Sequence, residues 1–567
     1  MKLRSFFYTL ATIVVVLLLL GAGGAYWLAA HSPLTLLREG DIANPAAAMF
    51  VSRQSPAMLS LLVNPERLES FWLAKAEPRK RRSVQAELNR LQHSFWADTP
   101  LNYDQDVKPW LGNELTFAVT STDVDRDSSN GKQPGYLMVL EAAKPELAQE
   151  SLQSFWQQRA ARGMKLVFEP FAGVQLVHAT QVQASERDDL PPALTSAVVG
   201  NYVLFANSPK VLRDAINNAQ VTDLNLSQNA AYQQVLERLE GQRLGLVFVN
   251  LPQFAAWLAD QPNLPRQPQT SPLFSEDSPY EALIATLEPN RHGILAEAVL
   301  LPAEGQSLEP STPVLSAPVD ALRFVPSTST LVAAGQDLPQ TWRSLEANLA
   351  AYEPFQTLVQ RPLSDLEQQW QLTLSEDLFP WMPGEYALAQ VPRSDHSRSD
   401  WLFVVQDSPD SAAGLAHLDA LAQQQGVSVG SFPFKDATLF AWTKLTTRNR
   451  AQSGVASLQA EVQGVRTHQD GYTLFATSLE AIEQALQAPS TESTEFQQAV
   501  AALRFPNNGY FYLDRSTLSQ LLQQESLAAL SHLPKPFLDS LQSVMISSYG
   551  TGKDGSQGAV FLRLNGI

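Results

Sequence analysis

Cysteine is absent from the 567 residues. That excludes disulfide scaffolds, thiolate zinc sites, cysteine nucleophiles and a lipidated cysteine. Basic residues are scarce, with 40 Lys and Arg against 57 Asp and Glu, a net charge of −17. Such a chain is no general nucleic-acid binder, because affinity for phosphate comes from Lys and Arg. Local catalytic signatures are missing too. No GxSxG elbow or P-loop occurs, and the eight histidines show neither HxH nor HExxH spacing. An active site assembled from distant residues stays open. Apolar content, in contrast, is 44%, enough for packed cores in place of disorder. At about 150 residues per domain, the length predicts three to four ordinary domains or two large ones.

One long uncharged run follows Lys2 and Arg4, from Phe6 to Ala30. About 25 residues of helix span roughly 37 Å, enough to cross a hydrocarbon layer of about 30 Å. Tyr26 and Trp27 fall where the far interface favours amphipathic rings. The basic N-terminus stays on the cytoplasmic side, so the bulk faces outward. Residues 1–31 are therefore read as a cytoplasmic stub and transmembrane anchor. The competing reading is a signal peptide cleaved near Gly23-Gly24-Ala25. The lack of cysteine fits an oxidising compartment.

The rest of the chain reads as a duplication. Tyr202-Val203-Leu204-Phe205-Ala206 resembles Tyr472-Thr473-Leu474-Phe475-Ala476 at an offset of 270. Pro109-Trp110 matches Pro380-Trp381 at 271, Tyr136-Leu137 matches Trp401-Leu402 at 265, and Gly245–Asn250 matches Gly509–Asp514 at 264. The matches keep their order, and small loop insertions account for the drift. They predict repeats at 46–303 and 319–567, joined by a proline-rich linker at 304–318. Each repeat opens with a short strand near Phe50 or Phe324. Strands and amphipathic helices follow, and a hairpin closes it. Consecutive strands without helices between them pair antiparallel. The expected fold is α+β: two tandem copies of a mostly antiparallel sheet with packed helices, preceded by one transmembrane helix.

Trp110-Leu111-Gly112-Asn113-Glu114-Leu115, the Asp123–Asp127 loop and Gln133-Pro134-Gly135-Tyr136-Leu137 resemble the family known as domain of unknown function 3352. The resemblance covers most of the chain. It implies a mostly cyanobacterial, membrane-anchored protein in a plasma or thylakoid membrane, with its bulk in periplasm or lumen. It implies no activity, cofactor or site residue.

Asp123, Asp125 and Asp127, with Asn130 and Gly131 behind them, have the alternating carboxylates of a calcium loop. Ser128 and Pro134 stand where an EF-hand places glycine and its bidentate glutamate. The alternative is a solvated hairpin loop turning at Asn130-Gly131. Any calcium there is structural, and no other cofactor is implied. Arg79-Lys80-Arg81-Arg82 suits anionic headgroups, or else starts a solvated helix. Gly550–Gly555 matches GxGxxG but leads into a strand, which predicts a hairpin turn in place of a dinucleotide loop. Ser-Phe-Trp occurs three times, ending at Trp72, Trp96 and Trp156. Such aromatics fill cores or line an apolar groove. Trp110 and Trp381, four residues ahead of Glu114 and Glu385, read as a requirement of the fold.

Together these features point to a membrane-anchored, extracytoplasmic, non-enzymatic binding or scaffold protein. Its partner is an unidentified protein or lipid, held in a cleft between two lobes. The alternatives are a lipid or pigment handling protein, and an enzyme whose site converges from distant residues.

Overall fold

Several strand segments, such as Tyr202–Ala206 and Tyr472–Ala476, are almost wholly apolar, which suits a sheet covered on both faces. The computed structural model describes residues 44–67, 81–82, 85, 101–127, 129, 131–180, 194–239, 243–259, 278–290, 292–308, 310–349, 360–395, 399–435, 437–449, 456–488, 495–522 and 541–564. The expected transmembrane segment lies outside these residues. Among the described residues no helix is long and apolar enough to cross a membrane.

Among the described residues, ten strands come from the first half. They are β1 (Ala57–Leu61), β2 (Leu111–Ser121), β3 (Gly135–Ala142), β4 (Lys165–Phe171), β5 (Val174–Thr180), β6 (Thr195–Val199), β7 (Tyr202–Ala206), β8 (Gly245–Asn250), β9 (Tyr280–Asn290) and β10 (Gly293–Pro302). The second half supplies β11 (Leu331–Gln336), β12 (Glu385–Pro392), β13 (Ser399–Gln406), β14 (Val427–Phe434), β15 (Ala437–Asn449), β16 (Ala456–Gln469), β17 (Tyr472–Ala476), β18 (Tyr510–Asp514), β19 (Leu541–Gly552) and β20 (Gly555–Leu564). In the first half the strands lie in the order β4-β5-β6-β7-β3-β2-β1-β8-β9-β10, all antiparallel. The second half repeats this order as β14-β15-β16-β17-β13-β12-β11-β18-β19-β20.

The expectation of two separate sheets is corrected here. β10 pairs with β20, from Gly293 with Arg563 to Leu300 with Ser556, and one sheet runs through both halves. The physical reason is the edge. β10 and β20 end their hairpins with apolar side chains on both faces, and an open edge of that kind must be paired or covered. Gly293 and Gly555 open these strands, and the residues four further on, Glu297 and Ala559, are partners. An approximate twofold axis therefore passes between Glu297 and Ala559. On one face Leu287, Ile294 and Leu300 share a core with Val544, Val560, Leu562 and Trp381. On the other face Arg504 Nε lies 2.6 Å from the buried Glu297 carboxylate, and Arg238 reaches Asp554 at 2.5 Å. Residues of the proline-rich segment lie along the second half, through Ser311 to Thr551 and Leu315 to Asn507.

Helices repeat with the strands. The first half has α1 (Pro145–Ala161), α2 (Pro209–Gln220), α3 (Ala230–Arg238) and α4 (Leu251–Ala259). The second has α5 (Leu338–Leu349), α6 (Arg361–Trp370), α7 (Ser411–Gln424), α8 (Leu479–Leu486), α9 (Glu495–Ala501) and α10 (Arg515–Leu522). Ser208 caps α2 and Ser478 caps α8, each accepting from a first-turn N–H. α2 packs on β3, β6 and β7, as α8 does on β13, β16 and β17.

The strands expected near Phe50 and Phe324 are 3-10 turns, Ala46–Phe50 and Asp320–Phe324. Glu114 accepts from the N–H groups of Ala46 (3.2 Å) and Ala47 (2.8 Å), and Glu385 accepts from Asp320 N–H (2.8 Å). A carboxylate at free N–H groups favours a helical turn over a strand. Trp110 and Trp381 donate Nε1–H to the carbonyls of Asp106 (2.6 Å) and Asp377 (3.1 Å). Each indole closes a buried corner ahead of β2 or β12. Burial of a ring of about 200 Å² contributes on the order of 5 kcal/mol.

A shared core and shared ladder predict that both halves unfold together. Calorimetry should record one transition; two well-separated transitions would contradict the fused sheet.

Candidate functional site

A ligand site needs space that the core leaves open. In the second half such a space lies between α7, the end of α6 and the outer strands β14–β16, a cavity of about 50 Å³. Trp370, Trp442 and Phe475 are its aromatic walls, and Leu378, Leu418 and Ala422 add aliphatic surface. Trp442 stacks on Phe475 at 6.2 Å and 13°, and Trp370 meets Trp442 edge-on at 6.2 Å and 67°.

The walls are held by backbone irregularity. The β15–β16 ladder shifts register at Trp442/Thr443, passing from Gly464 to Val462 and leaving Gln463 as the extra residue of a bulge. The Gln463 carbonyl accepts Trp370 Nε1–H at 2.7 Å. Gly464 lets Trp442 lie flat on β16, since a Cβ there would fall 2.7 Å from the indole. Trp442 Nε1 donates to Asp419 at 2.9 Å, and Arg466 donates to the other Asp419 oxygen at 2.6 Å. Gln371 ends α6 with φ 50°, and its carbonyl accepts from Gln425 at 2.9 Å.

The first half fills the matching region differently. Gly163 and Gly426 follow α1 and α7 at φ 89° and 74°. Seven residues before these glycines stand Trp156 and Asp419. Ser196 faces Phe205 in its ladder as Arg466 faces Phe475. Trp156 Nε1 donates to Ser196 at 2.8 Å, the place of the Asp419–Arg466 pair. Ala179 stands five residues into β5 after Val174, as Trp442 does into β15 after Ala437. The large ring has thus moved from helix to sheet. Ala422 of the cleft corresponds to Arg159, whose guanidinium lies 3.6 Å over the Phe155 ring. Phe155 and Trp156 are core residues, so this Ser-Phe-Trp motif builds no groove. Trp72 and Trp96 lie outside the described residues.

Perturbed carboxylates lie elsewhere. Glu114 is buried, and its pKa is pushed up to about 7, first by burial and further by the nearby Glu141 charge. Glu141 accepts from the N–H groups of Asn113 (2.9 Å) and Glu114 (3.1 Å). In the second half Gln406 does this work, accepting from Glu385 N–H at 3.1 Å. Tyr202 and Tyr472 donate to Glu114 and Glu385 at 3.4 and 2.8 Å. These glutamates clamp backbone, and the first half alone carries the second negative charge. Glu288 is likewise raised to about 7, by burial first and by Glu297 second.

The acidic loop folds onto itself. Asp125 accepts from Asp127 N–H (3.0 Å), Asp127 from Ser129 N–H (3.0 Å) and hydroxyl (2.6 Å), and Asp123 from Gln133 N–H (3.2 Å). Among the described residues no three His, Asp or Glu side chains converge as a metal site. Arg81 and Arg82 are exposed and helical, while Arg79 and Lys80 lie outside the described residues. Gly550–Gly555 spans the β19–β20 hairpin turn, as its following strand implied.

Glu114 holds its proton to about pH 7 when folded and loses it near 4.5 when unfolded. The folded state then binds more protons, so stability falls by about 3 kcal/mol as pH rises through that window. Glu141→Gln removes the like charge and copies the second half. It should shrink the stability difference between pH 4.5 and pH 8 in urea unfolding. An undiminished difference would show that Glu141 does not act on Glu114.

No curated protein matches this chain. Three chains of solved structure do. Crystal form I of TP0453 is 10% identical over 46% of this chain and 81% of that one, with a TM-score of 0.25. Crystal form III is 9% identical over the same shares, with a TM-score of 0.22. Scores this low carry no argument. The family described as "Protein of unknown function (DUF3352)" matches residues 10–564, nearly the whole length, and the chain belongs to that family.

Proposed function

We propose that this chain is a membrane-anchored, extracytoplasmic binding protein without a catalytic step, and that the cleft of the second half holds a small apolar molecule. The observation that carries the reading is the space walled by Trp370, Trp442 and Phe475. Its lining is apolar with a few polar points, as small-molecule sites are lined. This favours the lipid or pigment handling form of binding over a protein scaffold. The carboxylates with raised pKa support a role without catalysis, because Glu114 is engaged by backbone amides and Glu297 by Arg504. Residues 6–30 serve as the span, in a plasma or thylakoid membrane. The exposed Arg81 and Arg82 meet anionic headgroups on the side where the bulk resides.

The test is the native mass of the intact protein, extracted in mild detergent from its own membrane. The expected result is the 62.3 kDa chain with an added mass of small-molecule size. A bare chain in every preparation, or added mass of protein size only, would overturn the reading.

A further inference from the structure

Resting on the membrane-anchored part of that reading, we infer that the β15–β16 hairpin is a second membrane contact, which lays an apolar stripe flanked by basic residues on an anionic lipid surface. β14 pairs with β15 only as far as Lys444, and β17 pairs with β16 only from Val465 onward. Beyond these points β15 and β16 pair with each other alone, from Leu445 with Ala460 to Asn449 with Ala456. The bulge at Gln463 lies at the root of this two-stranded arm, held by Trp370, and a bulge bends the strand that carries it. In the first half, among the described residues, β5 and β6 pair at Val177 with Ser196 and at His178 with Thr195 only. A two-stranded ribbon is marginally stable in water, so the arm gains from a surface to lie on.

The register says which face lies down. Leu439, Ala441 and Val465 are buried in a core shared with Ile482 of α8 and Ala499 of α9. Side chains alternate along a strand, so the same face continues through Thr443 and Leu445 on β15 and through Val462 and Ala460 on β16. There Leu445 is 62% exposed and Val462 42%. The apolar stripe has run out from under its cover. Lys444 stands on the other face, opposite Glu461, and Arg448 holds a register position of that same face. Between Thr443 and Val462 the sequence carries Lys444, Arg448 and Arg450 against Glu461 alone, in a chain of net charge −17. The remainder of the chain is more acidic still and is repelled by anionic headgroups; the arm is attracted. Apolar side chains on one face, with long basic ones beside them, suit a membrane interface, where Lys and Arg reach back to the phosphates. Size argues against a second copy as the occupant. From Thr443 to Asn449 the face is about 23 Å long and about 10 Å wide, on the order of 200 Å². A stable protein interface takes about 800 Å² from each partner.

The absence of cysteine lets a single introduced thiol report from the arm. Leu445→Cys and Val462→Cys in the full chain are labelled with an environment-sensitive nitrobenzoxadiazole. Phe168→Cys, at a site 62% exposed on the outer strand of the first half, is the control. Each is reconstituted into nanodiscs of phosphatidylcholine, alone or mixed with phosphatidylglycerol. In the anionic discs, emission from both arm positions should shift to the blue, brighten about twofold and be quenched by nitroxide-bearing lipid, and salt should reverse the change. The control should stay aqueous. Lys444→Glu combined with Arg448→Glu should remove the shift. Thermal unfolding shows whether that variant folds, and the salt titration carries the same test if it does not. Aqueous emission at both arm positions, with the chain seated in the discs, overturns the arm contact and leaves the anchor standing. A chain that never enters the discs overturns the anchor, and the arm contact with it. An equal shift in neutral discs overturns the role of charge. A blue shift in detergent alone with a doubled native mass assigns the face to a second copy and overturns the lipid assignment.

Discussion

Eight partnered positions, from Gly293 with Arg563 to Leu300 with Ser556, hold two ten-strand sheets in one. An all-antiparallel sheet of twenty strands is far above the usual four to six or so. It exists because each half ends in a strand that is apolar on both faces. Left alone, that strand is an aggregating edge; paired with its counterpart, it becomes the centre of the molecule. The pairing places Glu297 beside the axis, with Arg504 of the other half beside it. A charge buried at this point would be costly alone, so the second half supplies the cation that makes the first half's strand tolerable.

Duplication also frees one copy to change. Both halves keep the parts that set the backbone: the glutamate under a 3-10 turn, the tyrosine that donates to it, the tryptophan ahead of the strand. They diverge where helix meets the outer strands. Trp156 with Ala179 fills that place in one half, and Asp419 with Trp442 fills it in the other. Moving the indole from helix to sheet keeps a ring in the core and leaves a small cavity beside it. Ala422, in the place of Arg159, keeps that space open.

Much of the fold was legible in sequence because strand and helix periodicities were strong and occurred twice. Trp110 and Trp381 were readable as structural from their matched positions. The fusion of the sheets was not readable, because an apolar final strand looks the same paired to a neighbour in its own half or across the molecule. The turns at Phe50 and Phe324 were missed because their cap, Glu114 or Glu385, lies more than sixty residues away. The cleft was missed for a related reason. Attention to Ser-Phe-Trp pointed at the half where the rings are core. The useful signal was the opposite one, the positions where two otherwise similar copies differ: Trp156 against Asp419, Ala179 against Trp442, Arg159 against Ala422. The carboxylates of the acidic loop accept from their own loop's amides.

A scaffold repeated in the two halves and fused through one ladder thus carries one corner where the halves differ. The most direct measurement is an experimental structure of the intact protein. Strands Gly293–Pro302 and Gly555–Leu564 should pair edge to edge there, as one sheet. Two sheets parted between these strands would contradict it.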